Sequence, residues 1–216
     1  MQPVKPARRQ YRSEHRRQQA AATRAAILDA ARQLFPERGY AGTTIEAIAQ
    51  AAGVAAITVY STFGSKRALL ARLIDIAVTG DERPGPILER ERPRAVMALP
   101  NQRDQIRLFA RDIVAIMERV APLLEVLSHA ARTEPDMAEL LDNVLQGRLA
   151  GMRAFTTALH RNGKLRDGMS SATAAATVWA LTSAEMVLLL TRRLGWSADQ
   201  YIAWLERSLV ALLLPN

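Results

Sequence analysis

Residues 44–62 read TIEAIAQAAGVAAITVYST, and this stretch decides the fold. Ile48 and Ala49 lie on the apolar face of one short helical pattern, and Val59 lies in a second one that follows Gly53. A helix-turn-helix needs a small residue where its helices cross, a glycine that turns left-handed, and an aliphatic residue that anchors the second helix. Ala49, Gly53 and Val59 satisfy these three requirements, so the stretch predicts a helix-turn-helix.

Helical signals continue on both sides of this motif. From Thr23, apolar residues recur at three- and four-residue steps until Gly39, which predicts an amphipathic first helix that ends at that glycine. Either Thr43 or Thr44 then supplies a hydroxyl cap for the second helix. A fourth helix opens at Lys66. We therefore expect three helices in a compact head and a fourth that leads out of it.

Positive charge is concentrated in the first third of the chain. Residues 1–78 contain 12 Lys/Arg and 5 Asp/Glu, whereas residues 79–216 contain 17 and 16. Clustered positive charge is typical of proteins that bind polyanions, so nucleic acid and an anionic membrane surface both fit, and a solubilising tail is the plain alternative. The chain contains no cysteine, which excludes disulfides and fits the reducing cytoplasm where we expect the protein to work.

The head carries a dense set of residues that match a known DNA-binding pattern. These residues are Thr23, Arg24, Leu28, Asp29, Ala30, Ala31, Leu34, Phe35, Gly39, Tyr40, Thr43, Thr44, Ile48, Ala49, Ala52, Gly53, Val54, Thr58, Val59, Tyr60, Phe63, Ser65 and Lys66. In them the chain resembles the DNA-binding domain of TetR/AcrR-type transcriptional regulators. The resemblance implies an all-α protein whose N-terminal three-helix head, a helix-turn-helix DNA-binding domain, is joined to a C-terminal helical domain for ligand binding and dimerisation.

Candidate DNA contacts follow from this resemblance and from side-chain chemistry. Thr44 and Lys66 each open a helix, where a phosphate is favoured by backbone amides and the helix dipole. The resemblance implies that Thr58 and Tyr60 reach phosphates or base edges, although Tyr60 could instead be a structural aromatic. The leading edge of the recognition helix can make apolar contacts with thymine methyl groups. The other predicted contacts are Ala55, Ala56, Ile57 and Ser61.

The recognition helix departs from the family pattern at its start. Ala55 and Ala56 stand where relatives often carry a hydroxyl cap followed by a lysine. Loss of the cap should weaken the start of this helix by about 1 kcal/mol. The fold should survive, but base preference cannot be transferred from relatives.

Residues 1–22 form a basic segment in front of the head, which is either an arm that contacts DNA or a disordered tail. The arm could bind phosphates or insert an arginine into a narrow minor groove, and a solvated tail is the alternative. Its candidate contacts are Arg8, Arg9, Arg12, Arg16 and Arg17.

Behind the head, which we take as residues 23–78, composition changes. Residues 79–101 contain four of the ten prolines and a run of alternating charge, which predicts a linker or irregular crossover. Helical periodicity returns over residues 102–216, with expected breaks at Pro122 and Pro135. The resemblance implies that the last two helices, about 172–190 and 197–213, pair with their copies in a homodimer.

The same resemblance implies a ligand pocket in the C-terminal domain, for which we expect a small hydrophobic effector. Plain core packing is the alternative for every candidate lining residue. The candidates are Phe109, Met117, Met152, Phe155, Trp179 and Met186.

Other function classes find less support. The sequence shows no serine elbow, glycine-rich phosphate loop, paired catalytic carboxylates or metal-ligand spacing, so we expect no enzyme, metal or cofactor. A basic adaptor on membrane surfaces would leave the helix-turn-helix spacing unexplained. Residues 172–190 are apolar enough to approach a membrane span, but Glu185 and several Ser/Thr favour a helix of a soluble protein. The expected partner is therefore a palindromic double-stranded DNA operator, with repression more common in the family than activation, and no membrane.

Overall fold

The computed structural model describes the backbone of residues 7–215 and the side chains of residues 14–215. All regular structure in that part of the chain is helical, which confirms the predicted all-α class. The chain divides into two compact units, Met1–Leu73 and Ile74–Asn216. The helices are α1 (Ala7–Gly42), α2 (Ile45–Ala51), α3 (Ala56–Phe63), α4 (Lys66–Thr79), α5 (Glu91–Ala98), α6 (Gln102–Ala130), α7 (Pro135–Arg161), α8 (Ser171–Leu181), α9 (Ala184–Leu188) and α10 (Ala198–Leu213). A 3₁₀ turn, Ile87–Glu89, precedes α5, and a π-helical turn, Leu189–Arg193, continues α9.

The core of the N-terminal unit is built from the apolar face of α1. Ile27 and Phe35 of α1 are fully buried, as are Ile48 of α2 and Val59 of α3. α2 packs against both α1 and α3. Gly39 has a φ of +70°, a left-handed conformation that interrupts α1, as the sequence predicted.

α1 begins earlier than its apolar pattern indicated. Its backbone is helical from Ala7, so α1 includes residues 7–22 of the basic segment. Every side chain from Glu14 to Ala22 is exposed. Periodicity cannot reveal a helix that has no packed face, whereas the alanine, glutamine and arginine of this segment all favour helix formation.

The core of the C-terminal unit surrounds α6. This helix packs against α7, α9 and α10, and α7 packs against α8. The predicted break at Pro122 was wrong, because α6 runs through it to Ala130. A proline inside a helix costs about 3 kcal/mol, and burial of Leu123, Leu124 and Leu127 on the following turn offsets that cost.

The predicted linker, residues 79–101, also contains a helix. In α5, Pro93 is the third residue, where its missing N–H would have no partner within the helix anyway. Val96 is buried, and Arg92 donates two hydrogen bonds to Asp112 of α6, at 2.6 and 3.0 Å. The prolines and the charge run predicted a linker, whereas the structure has a short helix there that tertiary contacts stabilise.

The helix predicted over residues 172–190 is broken in the structure. α8 ends at Leu181, and Ser183 starts α9 by accepting a hydrogen bond from the Met186 amide at 3.2 Å. Among the described residues, Ser171–Arg193 is the one stretch that is by itself long and apolar enough to cross a membrane. Core helices of soluble proteins can have the same length and composition. The bent pair α2 and α3 passes this test only if the two helices are taken together. A third of its most apolar window is buried inside the protein.

Candidate nucleic-acid interface

The turn between α2 and α3 has the geometry of a helix-turn-helix. The two helices are bent by 107° relative to each other, within the range of roughly 90–120° that this motif shows. Gly53 adopts a φ of +67°, and the next amide, of Val54, donates to the Ala49 carbonyl at 3.0 Å. Because only glycine adopts this conformation at little cost, the turn depends on Gly53.

The three residues that predicted the motif occupy the expected places. Ala49 is 3% exposed where α2 meets α3, and Val59 is fully buried on the inner face of α3. Their burial fixes which face of α3 remains outside. The opposite face carries Ile57, which is 73% exposed, and Tyr60, which is 45% exposed.

The two adjacent threonines before α2 have different roles. Thr44 is exposed and caps α2, since its hydroxyl accepts a hydrogen bond from the Ala47 amide at 3.1 Å. Thr43 is fully buried, and its hydroxyl reaches the carbonyls of Leu34 at 3.1 Å and Gly39 at 2.7 Å. The capping alternative is thereby settled for Thr44, which remains a predicted phosphate contact.

The start of α3 has no side-chain cap. Ala55 precedes the helix with an extended backbone and makes no capping hydrogen bond through its side chain. Ala55 is exposed, whereas Ala56 and Thr58 are half-buried. Ser61 is exposed and its hydroxyl donates back to the Thr58 carbonyl at 3.0 Å. The leading edge of α3 is therefore apolar, as the sequence indicated.

Two cations of the N-terminal unit pack against aromatic rings. The Lys66 ammonium lies 4.1 Å from the centroid of the Tyr40 ring and donates to the Tyr40 carbonyl at 2.7 Å. The Arg24 guanidinium lies 4.7 Å from the centroid of the Phe63 ring. Both contacts connect α1 to later helices. Sequence reasoning assigned Lys66 to phosphate only and missed this structural role, for which the neighbouring aromatic residues were the available signal.

The basic residues before the head fall into two groups. Arg16 and Arg17 lie on α1 and are exposed. The other three predicted arm contacts are in the backbone of α1, but their side chains lie outside the described residues; they are Arg8, Arg9 and Arg12.

The predicted effector residues occupy the interior of the C-terminal unit. Phe109 and Phe155 stack with their ring centroids 3.9 Å apart, and both are less than a tenth exposed. Met117 and Met152 are equally buried. Trp179 and Met186 are the two half-buried candidates. The cavity found in this unit is lined by other residues, so a lining role for these six stays a prediction.

The break between α8 and α9 is surrounded by polar side chains. Arg148 of α7 donates to the Trp179 carbonyl at 2.6 Å and to the Thr182 hydroxyl at 2.7 Å. Burial lowers the pKa of Arg148 to about 10, and the charge of Glu185 opposes this shift. Tyr201 of α10 donates to the Leu181 carbonyl at 2.6 Å, and burial raises the pKa of its phenol. These side chains satisfy carbonyls that the end of α8 leaves without helical partners.

No group of three or more acidic or histidine side chains is placed to hold a metal ion within the described part of the chain.

Three features together are typical of one class of protein, the helix-turn-helix transcriptional regulators. The chain is all-helical, its helix-turn-helix buries one face of the second helix and exposes the other, and its N-terminal third is basic. Residues 27–73 match the sequence model of the bacterial regulatory proteins of the tetR family. This match lies in the region that carries the resemblance to TetR/AcrR-type regulators and confirms that resemblance.

Solved structures agree on the fold. NalD of Pseudomonas aeruginosa, the secondary repressor of the MexAB-OprM multidrug efflux pump, is 21% identical with a TM-score of 0.67, covering 91% of this chain and 98% of its own. FadR of Bacillus subtilis, solved in complex with stearoyl-CoA, is 18% identical with a TM-score of 0.69, covering 87% and 97%. A TetR-family regulator of Mesorhizobium loti is 21% identical with a TM-score of 0.67, covering 89% and 95%. No curated protein sequence is significantly similar to the chain.

Proposed function

We propose that the protein is a cytoplasmic, homodimeric repressor that binds a palindromic operator through α3 and is released by a small effector. The observation that carries this proposal is the exposed face of α3, where Ile57 and Tyr60 project from a helix whose other side is locked into the core. We assign residues 23–78 to DNA binding and residues 102–216 to effector binding and dimerisation. Its similarity to NalD, a named repressor, and to FadR, solved with stearoyl-CoA, supports the repressor and effector parts.

The DNA contacts in this proposal divide into two kinds. Thr44, Lys66 and the arginines of the N-terminal segment bind phosphates and position the protein, without reading sequence. Tyr60 supplies the main polar base contact, with Thr58 and Ser61 beside it, while the three apolar residues 55–57 contact thymine methyl groups. Since the segment is helical from Ala7, we expect its arginines to contact phosphates from a helix and not from an extended arm.

Dimerisation is supported by apolar side chains left exposed near the end of the chain. Leu194 is 61% exposed and Leu212 is 43% exposed. Large apolar side chains exposed on neighbouring segments are typical of interaction surfaces. A dimer would also present two α3 helices to successive major grooves. Sedimentation equilibrium tests this directly, and a monomer at all concentrations would contradict it.

A gel-shift experiment tests the proposed interface. The full chain is titrated against a duplex from the region upstream of its own gene, beside Tyr60→Ala and the control Gln33→Ala, an exposed α1 residue outside the predicted interface. We expect Tyr60→Ala to weaken specific binding about tenfold or more, in line with the 1–3 kcal/mol of a good base contact, and Gln33→Ala to bind normally. Equal binding by all three proteins would remove Tyr60 from the interface. Binding to anionic vesicles but to no duplex would overturn the whole proposal, and a reporter gene decides between repression and activation.

A further inference from the structure

A cleft of about 360 Å³ opens inside the C-terminal unit, between α6 and the segment formed by α9 and the π-helical turn. Its volume is at the lower end of the range for small-molecule sites. Its lining combines apolar side chains with guanidinium groups. The apolar residues are Leu124, Leu188 and Leu189, and the arginines are Arg132, Arg192 and Arg193.

The acidic residues of the cleft already have cationic neighbours. Glu125 forms an ion pair with Arg192 at 3.1 Å. The charge of Glu185 acts on the half-buried Arg148 of α7. Arg132 and Arg193, in contrast, form no ion pair within the described part of the chain. The lining therefore carries three guanidinium groups and two carboxylates, and neither Arg132 nor Arg193 has a carboxylate within ion-pair distance in the described residues.

The wall that carries two of these arginines is an unusual piece of helix. The segment starts at Ser183, which caps α9, and ends in the π-helical turn. In this turn the Leu194 amide donates to the Leu189 carbonyl at 3.1 Å. Such wide turns are rare and occur frequently at functional sites, because they change the direction of the side chains that follow. Here the turn contains Arg192 and Arg193 themselves.

We infer that this cleft binds a small amphiphilic carboxylate, whose head group is held by Arg132 and Arg193 and whose hydrocarbon part lies on Leu124, Leu188 and Leu189. Paired N–H donors of arginine match the two oxygens of a carboxylate, and the three leucines supply the apolar surface that a wholly hydrated ion would not need. This inference rests on the proposed function, since it gives the effector its chemical class. It also adds a negative charge to the hydrophobic effector that the sequence predicts.

The test uses the full chain and straight-chain carboxylates as probes. Hexanoate, octanoate and decanoate are titrated by calorimetry, with octan-1-ol as the neutral control of matched length. We expect at least one carboxylate to bind and octan-1-ol to bind at least about tenfold more weakly, because it lacks the charge that arginine prefers. The variant Arg132→Gln/Arg193→Gln should lose carboxylate binding by about tenfold or more, whereas Arg111→Gln, an exposed α6 arginine outside the cleft, should bind as the native protein does. Absence of binding by all three carboxylates, or equal binding of octan-1-ol, would overturn the inference.

Two further measurements separate this inference from the proposed function. Without any probe, the double variant should bind the upstream duplex as tightly as the native protein, and bound carboxylate should reduce DNA binding only in the native protein and in Arg111→Gln. Intact DNA binding with no response to carboxylates refutes the cleft as an effector site and leaves the regulator intact, whereas no DNA binding by the native protein refutes the proposed function. A double variant that sediments as a monomer beside a dimeric native protein would make the cleft a surface for a second copy and would also refute the inference.

Discussion

Two breaks between consecutive helices, one in each compact unit, are closed by different means. Between α2 and α3, the chain turns at Gly53, and the Val54 amide bonds to a carbonyl only five residues away. Between α8 and α9, the closing side chains come from far along the sequence. Arg148 lies 31 residues before the Trp179 carbonyl that it binds, and Tyr201 lies 20 residues after the Leu181 carbonyl. The first break is local and the second depends on tertiary structure.

The difference follows from where each break lies. Every helix end leaves backbone groups without partners, and water can satisfy them only at the surface. The turn around Gly53 is exposed, so a left-handed glycine and one backbone bond suffice. Thr182, by contrast, is fully buried, so its surroundings must supply hydrogen bonds from other helices. Substitutions should therefore affect the two breaks in different ways.

Removing Arg148, which closes the buried break, should change the free energy of unfolding most. Arg148→Ala leaves the Trp179 carbonyl and the Thr182 hydroxyl without their donor, which should lower the free energy of unfolding by about 1.5–3 kcal/mol, the range for hydrogen bonds to charged groups. All three tryptophans lie in the C-terminal unit. Denaturation followed by tryptophan fluorescence therefore reports on this unit.

An arginine of the same helix provides the control for that experiment. Arg153 is exposed on α7, so Arg153→Ala should change the unfolding midpoint little. If both variants unfold at the native midpoint, the hydrogen bonds of Arg148 do not stabilise the break between α8 and α9.

The same contrast explains what could be predicted from the sequence. The helix-turn-helix was predicted at its residues because Ala49, Gly53 and Val59 act through local spacing. The break at Thr182 was missed because its neighbours in sequence are apolar and its donors, Arg148 and Tyr201, belong to other helices. Pattern reasoning therefore gave one helix where the structure has two.

The candidate site shows a similar division. The exposed face of α3 followed from helical periodicity, whereas the cap of α2 was left open between Thr43 and Thr44. The cleft between α6 and α9 could not be predicted, because its arginines come from segments about 60 residues apart in sequence. Only the fold brings Arg132 next to Arg192 and Arg193.

Adding a methyl group at Gly53 should have the next largest effect. Gly53→Ala places a side chain on a left-handed residue, which should destabilise the N-terminal unit by about 1–2 kcal/mol. Gly147→Ala is the matched control, because Gly147 lies inside α7 without a positive φ and has open space around an added methyl group. That variant should be more stable than the native protein by about 0.5–1 kcal/mol. Denaturation followed by circular dichroism would show the two opposite shifts, and equal shifts would mean that the left-handed turn is not what constrains Gly53.

Removing one hydroxyl group tests the other donor at the buried break. Tyr201→Phe keeps the ring in place but deprives the Leu181 carbonyl of its partner, which should cost about 1 kcal/mol. The double variant with Arg148→Ala should differ from the sum of the single effects, since both side chains hold the same chain end. Strict additivity would show instead that the two hydrogen bonds act independently.

The smallest expected effect is an increase in stability, from a substitution at the local break between α2 and α3. Ala55 has the extended backbone of a helix cap but no hydroxyl, so Ala55→Ser should give α3 the missing hydrogen bond and stabilise the protein by about 0.5–1 kcal/mol. The same substitution at Ala25, an exposed residue inside α1, should instead destabilise by about 0.5 kcal/mol, because serine is a weaker helix former than alanine. Circular dichroism during denaturation measures both. If Ala55→Ser destabilised as much as Ala25→Ser, the start of α3 would not be limited by its cap, and the local break would depend on its tertiary contacts as the buried one does.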